Sequence, residues 1–347
     1  MKGRAVGIDF FCGAGGMTAG LIRAGVEVRL GVDLDPLCRE TYERNNEVAF
    51  ECADIQNLSY RRVERALRGK SGHPVVFSAC APCQPFSKVR KSVNGRHQDA
   101  GMMLEFLRFV IRFRPEHVIC ENVPQFQSSS LGRRVIRKFL GSLETAGYST
   151  DHRIVNAADF GVPQHRLRLV ILASRTGRDV RVPVGPTRDS PPTVRQTIGH
   201  LPPIPAGGRS SKFPNHWASA LSADNLRRIG AVQKNGGDLR SVPISLRPPS
   251  RKNFSKYGNG GFFDVYGRMR WDATAPTLTT RCNSYSNGRY GHPEQNRAIS
   301  LREAAALQSF PNSYKFYAHS INAGARLIGN AVPVRLAFHL AKALLSR

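Results

Sequence analysis

The sequence lacks any apolar run long enough to cross a bilayer, because charged and polar residues interrupt each hydrophobic stretch before it reaches about 18 residues. It moves from Met1 almost directly into the strand-and-turn pattern AVGIDFFCGAGG, which leaves no room for a secretory signal. Its seven cysteines are an odd number, and without an export signal they favour free thiols over a disulfide framework. We therefore expect a protein of a reducing, cytoplasmic compartment.

Acidic residues are scarce in this chain. Aspartate and glutamate number 25 against 51 lysines and arginines, which gives a net charge of +26 over 347 residues. A basic surface can serve solubility alone, but this imbalance is unusual for a metabolic enzyme and favours a polyanionic partner. Nucleic acid is the simplest such partner, and composition does not distinguish DNA from RNA.

Residues 4–174 alternate short apolar runs with helical patterns, and the sequence contains no internal repeats. The segments AVGIDFF, VRLGVDLD, PVVFSAC, HVICENV and RLRLVILAS indicate strands, and the segments between them indicate helices. Because alternating strands and helices build βαβ units, the pattern predicts an α/β fold with a doubly wound, mostly parallel sheet. Ligands of such sheets bind outside the carboxyl ends of the strands.

Beyond residue 174 the sequence loses this periodicity and becomes rich in proline, glycine and serine. Residues 175–272 hold 17 lysines and arginines against 6 aspartates and glutamates, a net charge of +11. Irregular stretches of this length are usually functional, so we interpret this one as a smaller, basic second domain. Helical patterns return in SLREAAALQSF and PVRLAFHLAKALL.

A glycine-rich turn, DFFCGAGG, follows the first predicted strand and opens a helix. Glycines allow a tight turn and a close approach of the backbone to a ligand. The turn is not the dinucleotide fingerprint, because Thr18 stands where that pattern requires glycine. Asp33 and Asp35 end the second strand, and Asp54 in CADIQNL stands just beyond a further predicted strand that precedes PVVFSAC. Carboxylates at these positions can bind a ribose and an adenine amino group. The combination suits an adenosyl ligand without a pyrophosphate, such as S-adenosylmethionine, although any doubly wound fold needs a glycine turn and polar strand ends.

Cys80 and Cys83 form a C-x-x-C in the segment FSACAPCQPFS. A structural zinc site needs four ligands, and no second pair accompanies this one. A redox dithiol needs an exposed thiolate, whereas Cys80 ends an apolar strand and is expected to be a small buried residue. Two incidental buried cysteines, or Cys83 alone as a nucleophile between Pro82 and Gln84, are the other interpretations.

Six motifs of the chain resemble those of the DNA cytosine-5 methyltransferases, in that family's order. They are DFFCGAGG, APCQPFS, ENV at 121–123, QHRLRL at 164–169, RAISLREAAALQSFP and GNAVPVRLAFHLA. The resemblance covers nearly the whole chain except residues 175–272, and PTLTTRCNS at 276–284 is similar to a further element at the edge of the family's recognition domain. It implies a Rossmann-like methyltransferase domain of residues 1–174 and 320–347, and a smaller, irregular, mostly β target-recognition domain of residues 175–319.

The resemblance assigns the chemistry to four side chains. Cys83 is implied to be the nucleophile that adds to carbon 6 of cytosine, so that carbon 5 becomes able to attack an electrophilic methyl group. Glu121 is implied to hydrogen-bond or protonate ring nitrogen 3. Arg168 is assigned to the cytosine carbonyl oxygen and Arg166 to positioning, and we expect the two to share one face of a strand. The target base must be flipped out of the duplex to be reached.

The resemblance also implies two sets of binding residues and no metal. The set for S-adenosylmethionine, and for its product S-adenosylhomocysteine, comprises Phe11, Gly13, Gly15, Asp33, Leu34, Asp54, Ile55, Pro82, Asn330 and Ala331. The DNA-binding set comprises Gln84, Ser87, Lys88, Arg90, Thr279, Thr280 and Arg281. Loop 84–101 is expected to close over the flipped base, and Arg302 and Glu303 to support the recognition domain.

The expected partners are double-stranded DNA and, acting separately, a restriction endonuclease, in a bacterial cytoplasm where DNA ties the enzyme to the nucleoid. Two alternatives share these motifs: a tRNA cytosine-5 methyltransferase and a DNA-binding relative that has lost catalysis. Relatives of the first kind typically have a compact variable region with its own signature, which we do not find. The intact set of Cys83, Glu121 and Arg168 disfavours the second.

Overall fold

The chain divides into two units, and a seven-stranded sheet organises the first of them. The computed structural model describes residues 5–69, 72–82, 101–177, 179–248 and 264–346. The first unit comprises residues 1–161, 167–188 and 331–347, and the second comprises residues 162–166 and 189–330.

Six of the seven strands run in the same direction, and only one is reversed. The strands are β1 (Ala5–Phe10), β2 (Val26–Asp33), β3 (Ala49–Cys52), β4 (Val75–Ala79), β5 (His117–Asn122), β6 (Ser149–Asn156) and β7 (Leu167–Ser174). They lie in the order β3-β2-β1-β4-β5-β7-β6, and β7 is antiparallel to both of its neighbours. The order reverses between β1 and β4, where doubly wound sheets place ligands. The predicted α/β fold is confirmed.

Eleven α-helices accompany the strands in the described residues. Those of the first unit are α1 (Gly16–Arg23), α2 (Arg39–Asn46), α3 (Tyr60–Ala66), α4 (Met102–Phe113), α5 (Pro124–Ser128), α6 (Ser130–Thr145) and α11 (Val334–Leu345). Those of the second unit are α7 (Val194–Ile198), α8 (Ala223–Ala231), α9 (Leu301–Leu307) and α10 (Ile321–Asn330). Across the part of the chain that is described, no helix is both long and apolar enough to span a membrane.

The central strands are apolar because they are covered on both faces. Every residue of β1, β4 and β5 is buried, as expected of parallel strands between helical layers. Phe10 of β1 packs edge-on against Phe77 of β4 and Phe106 of α4. Because side chains alternate along a strand, Asp9 faces the other side of the sheet, toward α1.

Strand β6 was not predicted, and its position in the sheet explains why. It lies at one edge and pairs only with β7, and each of its eight residues is half-buried or exposed. Its sequence STDHRIVN is accordingly polar, without the apolar run that indicated the inner strands. Charged side chains are common on edge strands because they discourage pairing with other molecules.

The described residues of the second unit are irregular. They contain four helices, short 3-10 turns and isolated bridges such as Arg209–Trp217, but no strand. The mostly β character that we expected therefore does not extend to this described part. Proline has no N–H group for a ladder and glycine weakens strands, and both are abundant in this stretch.

Buried arginines connect the loops of the second unit. The guanidinium of Arg268, 1% exposed, donates to the backbone carbonyls of Ile229, Val232, His292 and Gln295. The guanidinium of Arg302 donates to the carbonyls of Pro214, Pro311 and Tyr314. Arginine offers five N–H donors in a rigid fork, so these side chains satisfy carbonyls that a sheet would otherwise pair.

Candidate active site

Glu121 and Arg168 form an ion pair at the carboxyl edge of the sheet. Glu121 lies at the end of β5, and the antiparallel β7 begins beside it, since Asn122 pairs with Leu169. Nε of Arg168 lies 2.6 Å from Oε1 of Glu121, and the two side chains are only 11% and 3% exposed. A carboxylate removed from water needs such a partner. The structure thus brings together the two residues predicted to bind one cytosine.

The thiol of Cys80 contacts the second oxygen of Glu121. Its Sγ donates to Oε2 at 2.8 Å, and the Cys80 side chain has a polar contact where the sequence suggested a purely apolar one. The Cys80 backbone N–H donates to the carbonyl of Phe10 at 3.3 Å, which ties the end of β4 to β1. None of the six described cysteines forms a disulfide, and no described group of side chains is arranged as a metal site.

The first residues of the cysteine loop are anchored to β5. The side-chain amide of Asn122 donates to the carbonyl of Ala81 at 3.3 Å, while its Oδ1 accepts from the N–H of Val123 at 2.8 Å. Pro82 is half-buried. The predicted residues Cys83, Gln84, Ser87, Lys88 and Arg90, and the predicted closing loop before Gly101, lie outside the described residues.

The glycine-rich turn has the backbone geometry that favours glycine. Gly13 and Gly15 have φ angles of 51° and 89°, and Phe11 also has a positive φ, 56°. A Cβ placed on Gly13 would meet no atom within 4 Å, so the turn faces open space. The N–H of Gly13 donates to Oδ2 of Asp33 at 2.8 Å. This bond joins the turn to the end of β2 beside that space.

Four further residues predicted to bind cofactor lie at the carboxyl ends of β2 and β3. Oδ1 of Asp33 accepts from the N–H of Asp35 at 2.9 Å, and burial raises the pKa of Asp33 above its ordinary value. Leu34 is 66% exposed, whereas Ile55 is buried. Asp54 caps a 3-10 turn by accepting a backbone N–H at 3.0 Å. Both carboxylates are thus oriented by backbone donors, as a ligand site at this edge requires.

Asp9 is a buried carboxylate next to the glycine-rich turn that the sequence pattern did not bring out. Its two oxygens accept from the hydroxyls of Ser78 and Thr18, each at 2.7 Å. The hydroxyl of Thr18 also shares a hydrogen bond with that of Tyr42 at 2.9 Å. Burial raises the pKa of Asp9 to about 7, although the two hydroxyl donors act to lower it. The position of this aspartate inside the apolar run AVGIDFF was the sequence feature that could have indicated a buried carboxylate.

Arg166 belongs to the second unit and precedes β7, so the expectation that it shares a strand face with Arg168 is not met. The chain passes between units at this point, and strand alternation therefore does not apply. The Arg166 guanidinium donates to the carbonyls of Leu278 at 2.9 Å and Gly329 at 3.1 Å. Through these two hydrogen bonds, Arg166 holds the backbone at Leu278 and at Gly329 in place.

The predicted DNA-binding residues Thr279, Thr280 and Arg281 are exposed on a turn directly after Leu278. The hydroxyl of Tyr290 donates to Oγ1 of Thr279 at 3.2 Å, and the N–H of Cys282 closes the turn on the Thr279 carbonyl at 3.1 Å. The exposed side chains of this turn are therefore carried on a backbone that hydrogen bonds hold in place.

Helix α10 approaches this turn closely. A Cβ added to Gly329 would lie 2.3 Å from the carbonyl oxygen of Thr279, so only glycine fits. The predicted cofactor residue Asn330 ends α10 and is exposed, and the buried Ala331 is the next residue, where the chain re-enters the first unit.

Glu303 has a partner that the sequence pattern did not indicate. Arg297 donates to both of its oxygens at 2.7 Å, and both side chains are buried. Glu303 also completes a capping box with Ser300 at the start of α9. Burial acts to raise the pKa of Glu303, but the hydrogen bonds and charge of Arg297 lower it to about 2. The pair fixes α9, which also carries Arg302.

Comparison with known proteins identifies the family. The sequence model of the C-5 cytosine-specific DNA methylases matches residues 6–346. The chain is 42% identical over 341 residues to the Type II methylase M.HgiDII of Herpetosiphon aurantiacus, covering 97% of this chain and 94% of that protein. It is 34% identical over 343 residues to the Type II methyltransferase M1.HphI of Haemophilus parahaemolyticus, with 97% and 86% covered.

Solved structures support the fold. A protein from an Escherichia coli prophage assigned as a DNA modification methyltransferase superposes with a TM-score of 0.70, at 21% identity and 98% coverage of both chains. A variant of Spodoptera frugiperda DNMT2 superposes with a TM-score of 0.66, at 17% identity over 98% of this chain and 99% of the other. With both units matched and the motifs in order, the chain belongs to the C-5 cytosine-specific DNA methylase family and is a DNA (cytosine-5)-methyltransferase.

Proposed function

We propose that this methyltransferase acts on a cytosine flipped out of double-stranded DNA, with Cys83 as covalent nucleophile and S-adenosylmethionine as methyl donor. The observation that carries the proposal is the buried pair of Glu121 and Arg168 beside the end of β4, the strand that leads to Cys83. A carboxyl group and a guanidinium match ring nitrogen 3 and the carbonyl oxygen of cytosine, which are neighbouring atoms. A base in such a position has left the duplex, at a cost of a few kcal/mol.

The thiolate of Cys83 adds to carbon 6 and forms a carbon–sulfur bond. The electron pair of the 5,6 double bond moves into the ring toward nitrogen 3, where Glu121 hydrogen-bonds or protonates it. Arg168 holds the carbonyl oxygen and keeps the ring in place. Carbon 5 is then an enamine carbon, electron-rich enough to attack an electrophile.

Carbon 5 takes the methyl group as S-adenosylhomocysteine is released from it, and the hydrogen of carbon 5 then leaves as a proton to water. The electron pair of that C–H bond re-forms the 5,6 double bond, and the Cys83 sulfur departs as thiolate. Nitrogen 3 returns to Glu121 the proton that it accepted. The ring then carries one methyl group more and one hydrogen less, and the enzyme returns to its starting state.

The glycine-rich turn and the ends of β2 and β3 fit an adenosyl group. S-adenosylmethionine supplies an electrophilic methyl group when bound. The open space at Gly13 leaves room for a ligand against the backbone, and Asp33 and Asp54 present oriented carboxylates for a ribose and an adenine amino group. The exposed Leu34 offers apolar surface to a base. The other residues proposed for this site are Phe11, Gly15, Ile55, Pro82, Asn330 and Ala331.

We assign DNA contact to the exposed turn Thr279–Arg281 and to Gln84, Ser87, Lys88 and Arg90 of the cysteine loop. The turn combines two hydroxyls and a guanidinium, groups that bind phosphates and base edges. Arg166 acts as a positioning residue, since it holds the carbonyl of Leu278 just before the turn. The Type II names of both bacterial relatives support a role beside a separately acting restriction endonuclease.

Bisulfite sequencing of DNA from cells that express the chain tests activity, product and target site together. The wild-type chain should leave unconverted cytosines at one short recurring sequence, and Cys83→Ser should leave none. Transfer of labelled methyl groups by Cys83→Ser at the wild-type rate would exclude Cys83 as nucleophile.

Calorimetric binding of S-adenosylmethionine to wild type and Asp33→Ala tests the cofactor site, and equal affinity would remove Asp33 from it.

A further inference from the structure

A groove between α4 and α6 lies on the first unit. It has a volume of about 770 Å³ and is lined by Ile111, Arg114, Arg137, Lys138, Ser142 and Thr145. Helix α4 ends just before β5 begins, and α6 ends just before β6 begins. The groove therefore lies toward the amino edge of the sheet, opposite the carboxyl edge that holds the active site.

The basic side chains of this region form no ion pair within the described residues, although α6 also carries the exposed Glu144. Six exposed basic side chains belong to α4, α6 and the residue after α4: Arg112, Arg114, Arg133, Arg134, Arg137 and Lys138. None of them takes part in an ion pair of the described residues. The nearby Glu105 and Glu116 are paired with Arg108 and Arg175.

The cations of α6 form two adjacent rows. Arg133 and Arg137 are one i,i+4 pair, and Arg134 and Lys138 are another. Like charges at this spacing destabilise a helix, and no ion pair of the described residues offsets the repulsion between these four cations. Such an arrangement indicates an anionic partner outside the chain.

Duplex DNA fits these rows in charge density. The cations from Arg133 to Lys138 extend over roughly 7.5 Å of helix axis, and B-DNA carries a negative charge about every 1.7 Å of its axis. A membrane surface fits less well, because membrane-bound amphipathic helices insert an apolar face. The apolar face of α6 is buried in the core through Val135, Ile136, Phe139 and Leu143.

We propose that this groove, formed by α4 and α6, binds the phosphate backbone of a second DNA segment, distinct from the segment that presents the target cytosine. The guanidinium and ammonium groups donate to phosphate oxygens, and the hydroxyl of Ser142 adds a neutral donor. Binding of this kind is independent of sequence and weakens steeply with salt. The enzyme would thereby hold two duplex segments at once.

A capture experiment tests the proposal without requiring methyl transfer. The full chain is loaded onto bead-bound plasmid DNA, and retention of a labelled duplex of about 30 A·T pairs, which contains no cytosine, is measured against salt. Wild type should retain the duplex, and Arg134→Gln/Arg137→Gln/Lys138→Gln should lose most of this retention while still binding the beads. The triple variant Arg61→Gln/Arg65→Gln/Arg68→Gln, which removes the same charge from exposed positions on and just after α3, should behave as wild type.

A second pair of variants separates charge from folding. A Cβ at Gly141 would meet no atom within 4 Å, so Gly141→Glu and Gly141→Gln should both fold. Gly141→Glu places an anion in the groove and should reduce capture, whereas the neutral Gly141→Gln should preserve it.

Three results would overturn the proposal. These are equal losses in both triple variants, undiminished capture by Gly141→Glu, and capture of phosphatidylserine vesicles in place of the duplex. Because the readout is DNA retention, an inactive enzyme would not mimic any of them.

Discussion

The side chain of Glu121 has a donor on each oxygen, Arg168 on one and the thiol of Cys80 on the other. Two donors from different strands fix the plane of the carboxylate at the carboxyl edge. The role proposed for Glu121 at ring nitrogen 3 requires one orientation of the carboxyl group, and such support leaves little reorganisation for the reaction.

Glu121→Gln should lower the rate of methyl transfer by about 10²–10⁴, the range for loss of a general acid. Glutamine keeps the size of the side chain but cannot supply an acidic proton to nitrogen 3. Single-turnover transfer of labelled methyl groups measures the effect, with the exposed Glu64→Gln on α3 as control. A rate within a few-fold of wild type would remove Glu121 from the reaction.

Cys80→Ala should reduce kcat by about 10- to 150-fold, because a hydrogen bond to a charged group contributes about 1.5–3 kcal/mol. The KM for DNA should change little, since Cys80 acts through Glu121. Cys80→Ser retains a donor and should recover most of the rate. Equal defects in the two variants would show that the volume of the sulfur, and not its hydrogen, is what matters.

The sequence predicted Glu121 and Arg168 because the motifs that contain them, ENV and QHRLRL, resemble those of the cytosine-5 methyltransferases. It did not predict the contact of Cys80 with Glu121, since that contact depends on how β4 and β5 align. The same limit applies to Arg297, whose partner Glu303 lies across a turn. Pairing between side chains is a property of the folded backbone and has no signal in local spacing.

At the scale of elements, Asp9 joins β1 to α1 and β4 through two hydroxyl donors. Its pKa of about 7 exceeds the ordinary value of 3.8, so between these pH values the folded state holds more protons than the unfolded state. The free energy of unfolding therefore falls as pH rises through this window, and the loss is complete above it.

Asp9→Asn should remove this part of the pH dependence. From about pH 5 to pH 8 the Tm of wild type should fall relative to that of the variant. The fall should be roughly 2–4 °C for each kcal/mol by which the free energy of unfolding decreases. Thermal unfolding followed by circular dichroism at several pH values measures the difference. Parallel curves would mean that Asp9 does not titrate in this range.

Two glycines in helices should respond oppositely to the same substitution. Gly329→Ala forces the Thr279 carbonyl away from α10, so it should lower the Tm and weaken DNA binding. Gly141→Ala meets open space and should stabilise α6 by about 0.5–1 kcal/mol. Thermal unfolding and fluorescence anisotropy with duplex DNA measure both. Stabilisation by Gly329→Ala would contradict the close approach.

The inner strands were predictable because burial on both faces leaves an apolar run, as in PVVFSA and HVIC. Strand β6 was not, since an edge strand keeps polar side chains. The sequence after residue 174 lacked the hydrophobic periodicity from which helices and strands are predicted. Its carbonyls are bound by Arg268 and Arg302, and an isolated arginine in a basic sequence looks the same whether it is buried or exposed.

For the whole molecule, the net charge of +26 indicated a polyanionic partner without locating it. The division into units was harder to predict, because residues 162–166 belong to one unit and the residues on both sides of them to the other. No change in composition marks those two crossings. The region after residue 174, in contrast, is marked by its proline and glycine content.

Exchange of residues 175–272 for those of M.HgiDII should change the methylated sequence while leaving transfer active. Glu121, Arg168 and the glycine-rich turn lie outside the exchanged segment, so the chemistry should persist. Bisulfite sequencing of host DNA reads both outcomes. An unchanged pattern, where the two parent enzymes differ in target, would show that this segment does not read DNA.

The buried arginines of the second unit bind carbonyl oxygens, which every amino acid possesses. Hydrogen bonds to carbonyl oxygens do not depend on which side chains the loop residues carry. Substitutions along those loops can therefore accumulate with little loss of stability, provided that Arg268 and Arg302 persist. The exposed side chains of such a unit can therefore change through a series of folded intermediates.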